Sequence, residues 1–265
     1  MTAMISTLLQ YQLVTSNLTR SLETVATEPM VERNTGYYLE NIGSIKSIDD
    51  FLGNDRIFAY AMKAFGLEDM TYAKAFMRKV LEEGTDERTS FANQLTDDRY
   101  RQFAETFNFV RYGATATVFS RAQEGVAEAY ARQTLEEREG ASNEGVRLAL
   151  YFARKAETID SAYDILADKA LAETVYTALG LPDAFAMSDI EKQAAYIEAH
   201  VDIDKLQDPE YLNDFLERFS TLYDLENGQN LQTVPNLLVS GGSASIVGFG
   251  ESLLASIQNL KLGGS

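Results

Sequence analysis

Few side chains in this sequence could do acid–base, nucleophilic or metal chemistry, and their spacing argues against each. His200 is the only histidine, so a metal site or proton relay built on two imidazoles is excluded. It falls near the end of an expected helix, where a cation would favour the negative end of the dipole, and it reads as a solvated terminus. Cysteine is absent, which removes thiolate nucleophiles, zinc thiolates, iron–sulfur ligands and disulfides. Adjacent carboxylates occur at Glu82-Glu83, Asp97-Asp98 and Glu136-Glu137. Neighbours on a helix point about 100° apart, so none of these pairs forms a dyad by spacing. They read as caps and solvated faces. Gly248-Phe249-Gly250 lacks the third glycine and the preceding strand of a dinucleotide site. No Walker phosphate loop, Gly-x-Ser-x-Gly elbow or EF-hand loop occurs. The sequence therefore assigns no catalytic, cofactor-binding or metal-binding residue, and the chain reads as a non-enzyme.

The elements that would position such residues are helices. From Asp55 to Gly66, apolar residues fall at Ile57, Phe58, Ala61, Met62 and Phe65, the three-and-four spacing of one buried stripe. Asp55 can cap the first turn, and Gly66 can take the left-handed conformation that ends a helix. A helix from about Thr71 to Glu83 is expected to bury Tyr72, Phe76, Met77 and Val80. Ser188-Asp189-Ile190-Glu191 has the form of a capping box, with Ser188 as the cap. Asp208 precedes Pro209, which suits the first helical position. Tyr100, Phe103 and Phe107 form one aromatic stripe, and Tyr211, Phe215, Phe219 and Leu222 another. Stacking on a base or ring is one use for such rings; core packing is the better reading, because the stripes keep the helical period.

These stretches recur. SIDDFLGNDRIFAYAMKAFGL (47–67) is echoed by SAYDILADKALAETVYTALGL (161–181). Ser47, Asp50, Leu52, Gly66 and Leu67 answer to Ser161, Asp164, Leu166, Gly180 and Leu181, and Asn54 to Asp168. Farther on, Leu95, Asp97 and Tyr100 answer to Leu206, Asp208 and Tyr211. The expected fold is all-α and multihelical, with two similar helical modules from internal duplication joined by central helices. The boundaries expected are an N-terminal helical segment (1–43), module one (44–112), connecting helices (113–157), module two (158–225), and a linker with a C-terminal amphipathic helix (226–265). Within the connection, a helix over 115–139 ends at Gly140. Asn143 caps the next, in which Val146, Leu148, Leu150, Tyr151 and Phe152 leave almost no polar face, so it should pack between the modules.

The two ends are the expected contact elements. Residues 4–26 read as one weakly amphipathic helix carrying Leu8, Leu18 and Leu22. After a Gly-, Asn- and Ser-rich linker, Ile246, Phe249, Leu253 and Ile257 repeat at helical spacing. Such a helix either folds back onto the body or docks on a protein partner.

Composition narrows the partners. With 23 basic and 40 acidic residues the net charge is −17, which disfavours nucleic acid and anionic membranes, both bound chiefly through Lys and Arg. No stretch is apolar for long enough to span a bilayer, so no membrane insertion is expected. The first residues lack the basic start and apolar centre of a secretory signal, so synthesis in the cytoplasm without a signal peptide is expected. Asn17-Leu18-Thr19 matches a glycosylation sequon, a pattern without meaning in that compartment.

SIDDFLGNDRIFAYAMKAFGLEDMTYAKAFMRKVLEEG, SFANQLTDDRYRQFAETFNF and NEGVRLALYFARKAETIDSAYDILADKALAETVYTALGL resemble an uncharacterised bacterial family, domain of unknown function 1217. The resemblance spans about residues 10–225. It implies an all-helical fold with two similar halves. Members of the family are often encoded among flagellar genes, so it also implies a role in flagellar assembly or structure. It carries over no site residue and no cofactor. Three functions stay open: a structural or accessory protein acting by protein–protein contact with flagellar components, a cytoplasmic chaperone or regulator of flagellar export, and a small-molecule enzyme using the inter-module cleft. The chain would be cytoplasmic, or flagellum-associated if exported.

Overall fold

Short polar side chains decide where the helices of this chain begin. A computed structural model describes residues 6–227. Its α-helices are α1 Thr7–Thr15, α2 Leu18–Ala26, α3 Pro29–Ile42, α4 Ile48–Gly53, α5 Asp55–Ala64, α6 Lys74–Glu83, α7 Phe91–Gln94 and α8 Asp98–Thr106. They continue with α9 Phe109–Tyr112, α10 Glu124–Gly140, α11 Glu144–Lys155, α12 Ala162–Ala167, α13 Lys169–Leu179, α14 Ile190–His200 and α15 Pro209–Glu226. The described residues contain no strand, and the all-α expectation is met. Ser47, Asn54, Asp97, Asn143, Ser161, Asp168 and Asp208 each accept a first-turn N–H through the side chain, which satisfies donors that a helix start leaves free.

The two stretches that resemble each other in sequence share some local geometry. Ser47 and Ser161 cap α4 and α12 with nearly the same backbone angles. Asp50 and Asp164 reach back to the N–H groups of Lys46 and Asp160. Gly66 and Gly180 both take positive φ, at 67° and 64°, after α5 and α13. The surroundings differ. Helix α5 lies on α3 and α10, whereas α13 lies on α11 and α15, and α8 has nine residues where α15 has eighteen.

The centre is a helical hairpin. Residues 141–143 turn α10 back into α11, and the two pack along each other. Helix α10 carries α2, α3 and α5 on its outer side; α11 carries α1, α13 and α15. The pair, rather than α11 alone, therefore stands between the two groups. Val146, Leu148, Ala149, Leu150 and Phe152 are fully buried, as the apolar run of α11 requires. Buried side chains from Tyr11 to Phe219 join in one apolar cluster. Phe51 sits within 6.0 Å, ring centre to ring centre, of Phe58, Phe103, Phe107 and Phe109, and Phe152 stacks on Phe215 at 5.1 Å. The aromatic stripes thus serve the interior: Phe103, Phe107 and Phe219 are fully buried.

Several boundaries differ from those expected. Residues 4–26 do not form one helix. Asn17 leaves helical angles, and its side chain accepts from Arg20, which opens α2 at Leu18. The cap of α5 is Asn54, not Asp55, and the cap of α14 is Asp189, because Ser188 donates instead to the Phe185 carbonyl at 2.7 Å. Residues 115–139 are α-helical only from Glu124, after a short 3₁₀ turn at Ser120–Ala122. Before that, the buried Thr117 hydroxyl donates to the Ile45 carbonyl at 2.8 Å, two residues ahead of Phe119, whose backbone is extended. Helix α6 starts at Lys74 rather than Thr71, so Tyr72 lies outside it and is 80% exposed, contrary to its expected burial.

Two substitutions test this packing. Phe51→Ala should cost about 3–5 kcal/mol, since it empties a site ringed by four phenylalanines. Tyr72→Ala should stay within about 0.5 kcal/mol. Urea denaturation of both variants checks the contrast; equal losses would contradict it.

Candidate functional site

The residues with chemical potential are mostly occupied by structural tasks. His200 is exposed at the end of α14, bonded through Nδ1 to the Tyr196 carbonyl at 2.7 Å and stacked on the Tyr196 ring at 4.0 Å. Glu83 accepts from the Phe91 N–H at 2.6 Å. Asp97 caps α8 and pairs with Arg99, while Asp98 pairs with Arg101. One reading needs correction: Glu136 does not lie on a solvated face. It is 1% exposed, held by Arg154 through two bonds of 2.7 Å and by Arg132 Nε at 3.1 Å. Its neighbour Glu137 pairs with Lys63 of α5. Among the described residues, no group of three or more His, Cys, Asp or Glu side chains converges to hold a metal.

One concave surface is a cleft of about 290 Å³ where the start of α8 meets the end of α11 and α12. Asp97, Asp98, Arg99, Arg101, Lys155, Asp160, Asp164 and Asp168 all reach its lining. Most of their bonding capacity is used. Arg99 donates to the Gly66 carbonyl at 2.6 Å and to Asp97 at 2.7 Å. Asp168 caps α13 and accepts from the Tyr151 hydroxyl at 2.5 Å. Burial, then the Asp168 charge, pushes the Tyr151 phenol far above its ordinary range, so it stays protonated. Lys155 stands apart. Its Nζ donates to Gln102 Oε1 at 3.2 Å, and it has no ion pair among the described residues. Desolvation, then the neighbouring Arg154 charge, lowers its pKa below the usual lysine range. The cleft thus offers one amine and a set of engaged carboxylates.

Another surface is apolar. Helices α2, α3 and α10 line a groove of about 700 Å³ with the small residues Ala26, Gly36, Ala127 and Ala131 and the larger Leu22 and Leu39. Small residues let the three backbones approach, and the space above them is empty. A Cβ added at Gly36 would meet nothing within 4 Å. Leu39 is 39% exposed, a large apolar side chain left partly in water. Thr19, Glu23, Glu32, Thr35 and Glu128 complete the lining.

The expected contact residues fall into two sets. Leu18 and Leu22 pack against the core while staying partly exposed, and Leu8 is half-buried. Leu22 alone reaches the groove. Ile246, Phe249, Leu253 and Ile257 lie outside the described residues. Helix α1 is fixed by a buried polar clasp. Asp224 of α15 accepts from the Thr7 N–H at 3.0 Å and hydroxyl at 2.5 Å, and Asn143 Nδ2 donates to the same hydroxyl at 3.0 Å. Gly36, Leu39, Ala127 and Ala131 were missed from the sequence. The one available signal was the four-residue spacing of Ala127 and Ala131, which solvated helix faces share.

Comparison with known proteins places this body in a family. The chain belongs to the family described as protein of unknown function (DUF1217), whose sequence profile matches residues 64–212. It is similar to a protein from Agrobacterium tumefaciens whose X-ray crystal structure was a structural-genomics target. The identity is 49% and the TM-score 0.79, over 84% of this chain and 97% of that one. None of the curated proteins matches the chain.

The clasp gives a test. A Cβ at Gly145 would stand 2.5 Å from Tyr223 Cδ1 and 2.9 Å from Thr7 Cγ2. Gly145→Ala should therefore force α1, α11 and α15 apart and cost about 1–3 kcal/mol. Gly36→Ala, which meets open space, should be neutral or gain up to about 1 kcal/mol from helix propensity. Thermal melts of both decide it, and a harmless Gly145→Ala would contradict the packing described.

Proposed function

We propose that this chain is a non-enzymatic structural or accessory protein that works by contact with other proteins, docking a partner helix in the α2–α3–α10 groove. The observation that carries the reading is the groove itself, about 700 Å³ of mostly apolar space on an otherwise acidic body. Its α2 wall runs from Thr19 to Ala26, about 10 Å at 1.5 Å per residue, which suits roughly two turns of a helix. Helices commonly dock in such grooves through apolar residues at i, i+3 or i+4, and i+7. The resemblance described above supports flagellar assembly or structure as the setting. No helix among the described residues is long and apolar enough to cross a membrane.

A chaperone or regulator of flagellar export is the alternative setting, because the same groove would receive a helical client in the cytoplasm. Location separates the two. Recovery of the chain with filament or hook supports the structural role, and recovery from the cytosol alone supports the chaperone.

The groove is tested with Gly36→Trp, whose ring fills the open space above α3. The full-length chain is used as bait in extracts of motile cells. Gly36→Trp should reduce partner recovery at least tenfold with no fall in melting temperature. Equal recovery by the parent and the variant would overturn the docking reading.

A further inference from the structure

The lining of the groove also specifies what its occupant carries. Glu23 of α2, Glu32 of α3 and Glu128 of α10 line the groove, one from each helix. All three are exposed. None takes part in an ion pair among the described residues. Helix α2 ends at the groove, at Ala26, and has no basic residue in its last turn to offset the negative end of its dipole. Arg20 and Arg33 lie on α2 and α3 but do not line the groove. Each of the three helices thus contributes to the groove an exposed carboxylate with no ion pair among the described residues.

We infer that the occupant is an amphipathic helix of another protein, with an apolar stripe flanked on both sides by Lys or Arg. This rests on the groove being a docking surface. The stripe would fill the space above Ala26, Gly36, Ala127 and Ala131, and the flanking cations would meet Glu23, Glu32 and Glu128. Rim charges of this kind govern partner choice and encounter rate more than tightness, so a helix with acidic flanks would be rejected by repulsion. A second copy of this chain suits the surface poorly, because its own net charge is −17.

Fluorescence anisotropy with three synthetic 18-residue helices at 0.15 M salt provides the test. One carries a leucine stripe flanked by lysines. The second keeps the stripe and replaces the lysines with glutamates. The third keeps the lysines and replaces the stripe with serines, which controls for unspecific attraction to an acidic protein. The first should bind at least tenfold more tightly than either of the others. Its advantage over the glutamate peptide should disappear in the triple variant Glu23→Gln, Glu32→Gln, Glu128→Gln, and its binding should be lost in Gly36→Trp. Equal binding of the lysine- and glutamate-flanked peptides would overturn the charge assignment while leaving the docking surface intact. Equal binding of the serine peptide, or no binding of the first, would overturn the inference. So would sedimentation showing a dimer that Gly36→Trp dissociates.

Discussion

A buried carboxylate holds the centre of this molecule in register. Glu136 lies in the interior of the α10–α11 hairpin, and a charge removed from water there is tolerable only when paired and hydrogen-bonded. Arg132, one turn earlier on α10, supplies one bond and also donates to the Leu150 carbonyl of α11. Arg154 supplies two more from α11. The same Arg154 reaches Gln133, Gln133 donates to Glu137, and Glu137 meets Lys63 of α5. Sliding any of these helices by one turn would strand a charge. Apolar packing supplies most of the stabilisation, but it has little directional preference; this chain of directional bonds links α5, α10 and α11 to one another.

With the hairpin fixed, the remaining elements have defined places. Helices α2, α3 and α5 lie on one side, and α1, α13 and α15 on the other. The groove is a consequence. Ala127 and Ala131 of α10 leave space that Ala26 and Gly36 do not fill, so the opening exists without a partner. A surface of this kind asks little reorganisation of the body on binding. The cleft near Lys155 has the opposite character. Asp97 and Asp168 cap helices there and Asp98 pairs with Arg101, work that ties them to the fold.

Much of the fold could be read from residue order alone. The stripe through Ile57, Phe58, Ala61 and Met62 and the caps at Asn143 and Asp208 are local signals, set within a few residues, and they gave α5 and the starts of α11 and α15. Non-local contacts were not legible. Nothing near Thr117 announces a bond to Ile45, which lies seventy-two residues earlier. Glu136-Glu137 looks like a solvated pair until Arg154, eighteen residues later, returns against it. The groove was hidden for a related reason: it is made of small residues on three helices, and small residues mark a cavity only once their neighbours are known. Of the contact residues expected from the sequence, Leu22 reached it, through the apolar period of α2.

The most direct measurement of the central claim is site-specific photo-crosslinking in cells that make the chain natively, with a photoreactive phenylalanine analogue at Leu39 in the groove or at Thr158 in the cleft. If the body works through the groove, Leu39 yields a discrete protein adduct and Thr158 yields none. Adducts formed from Thr158 and not from Leu39 would contradict it.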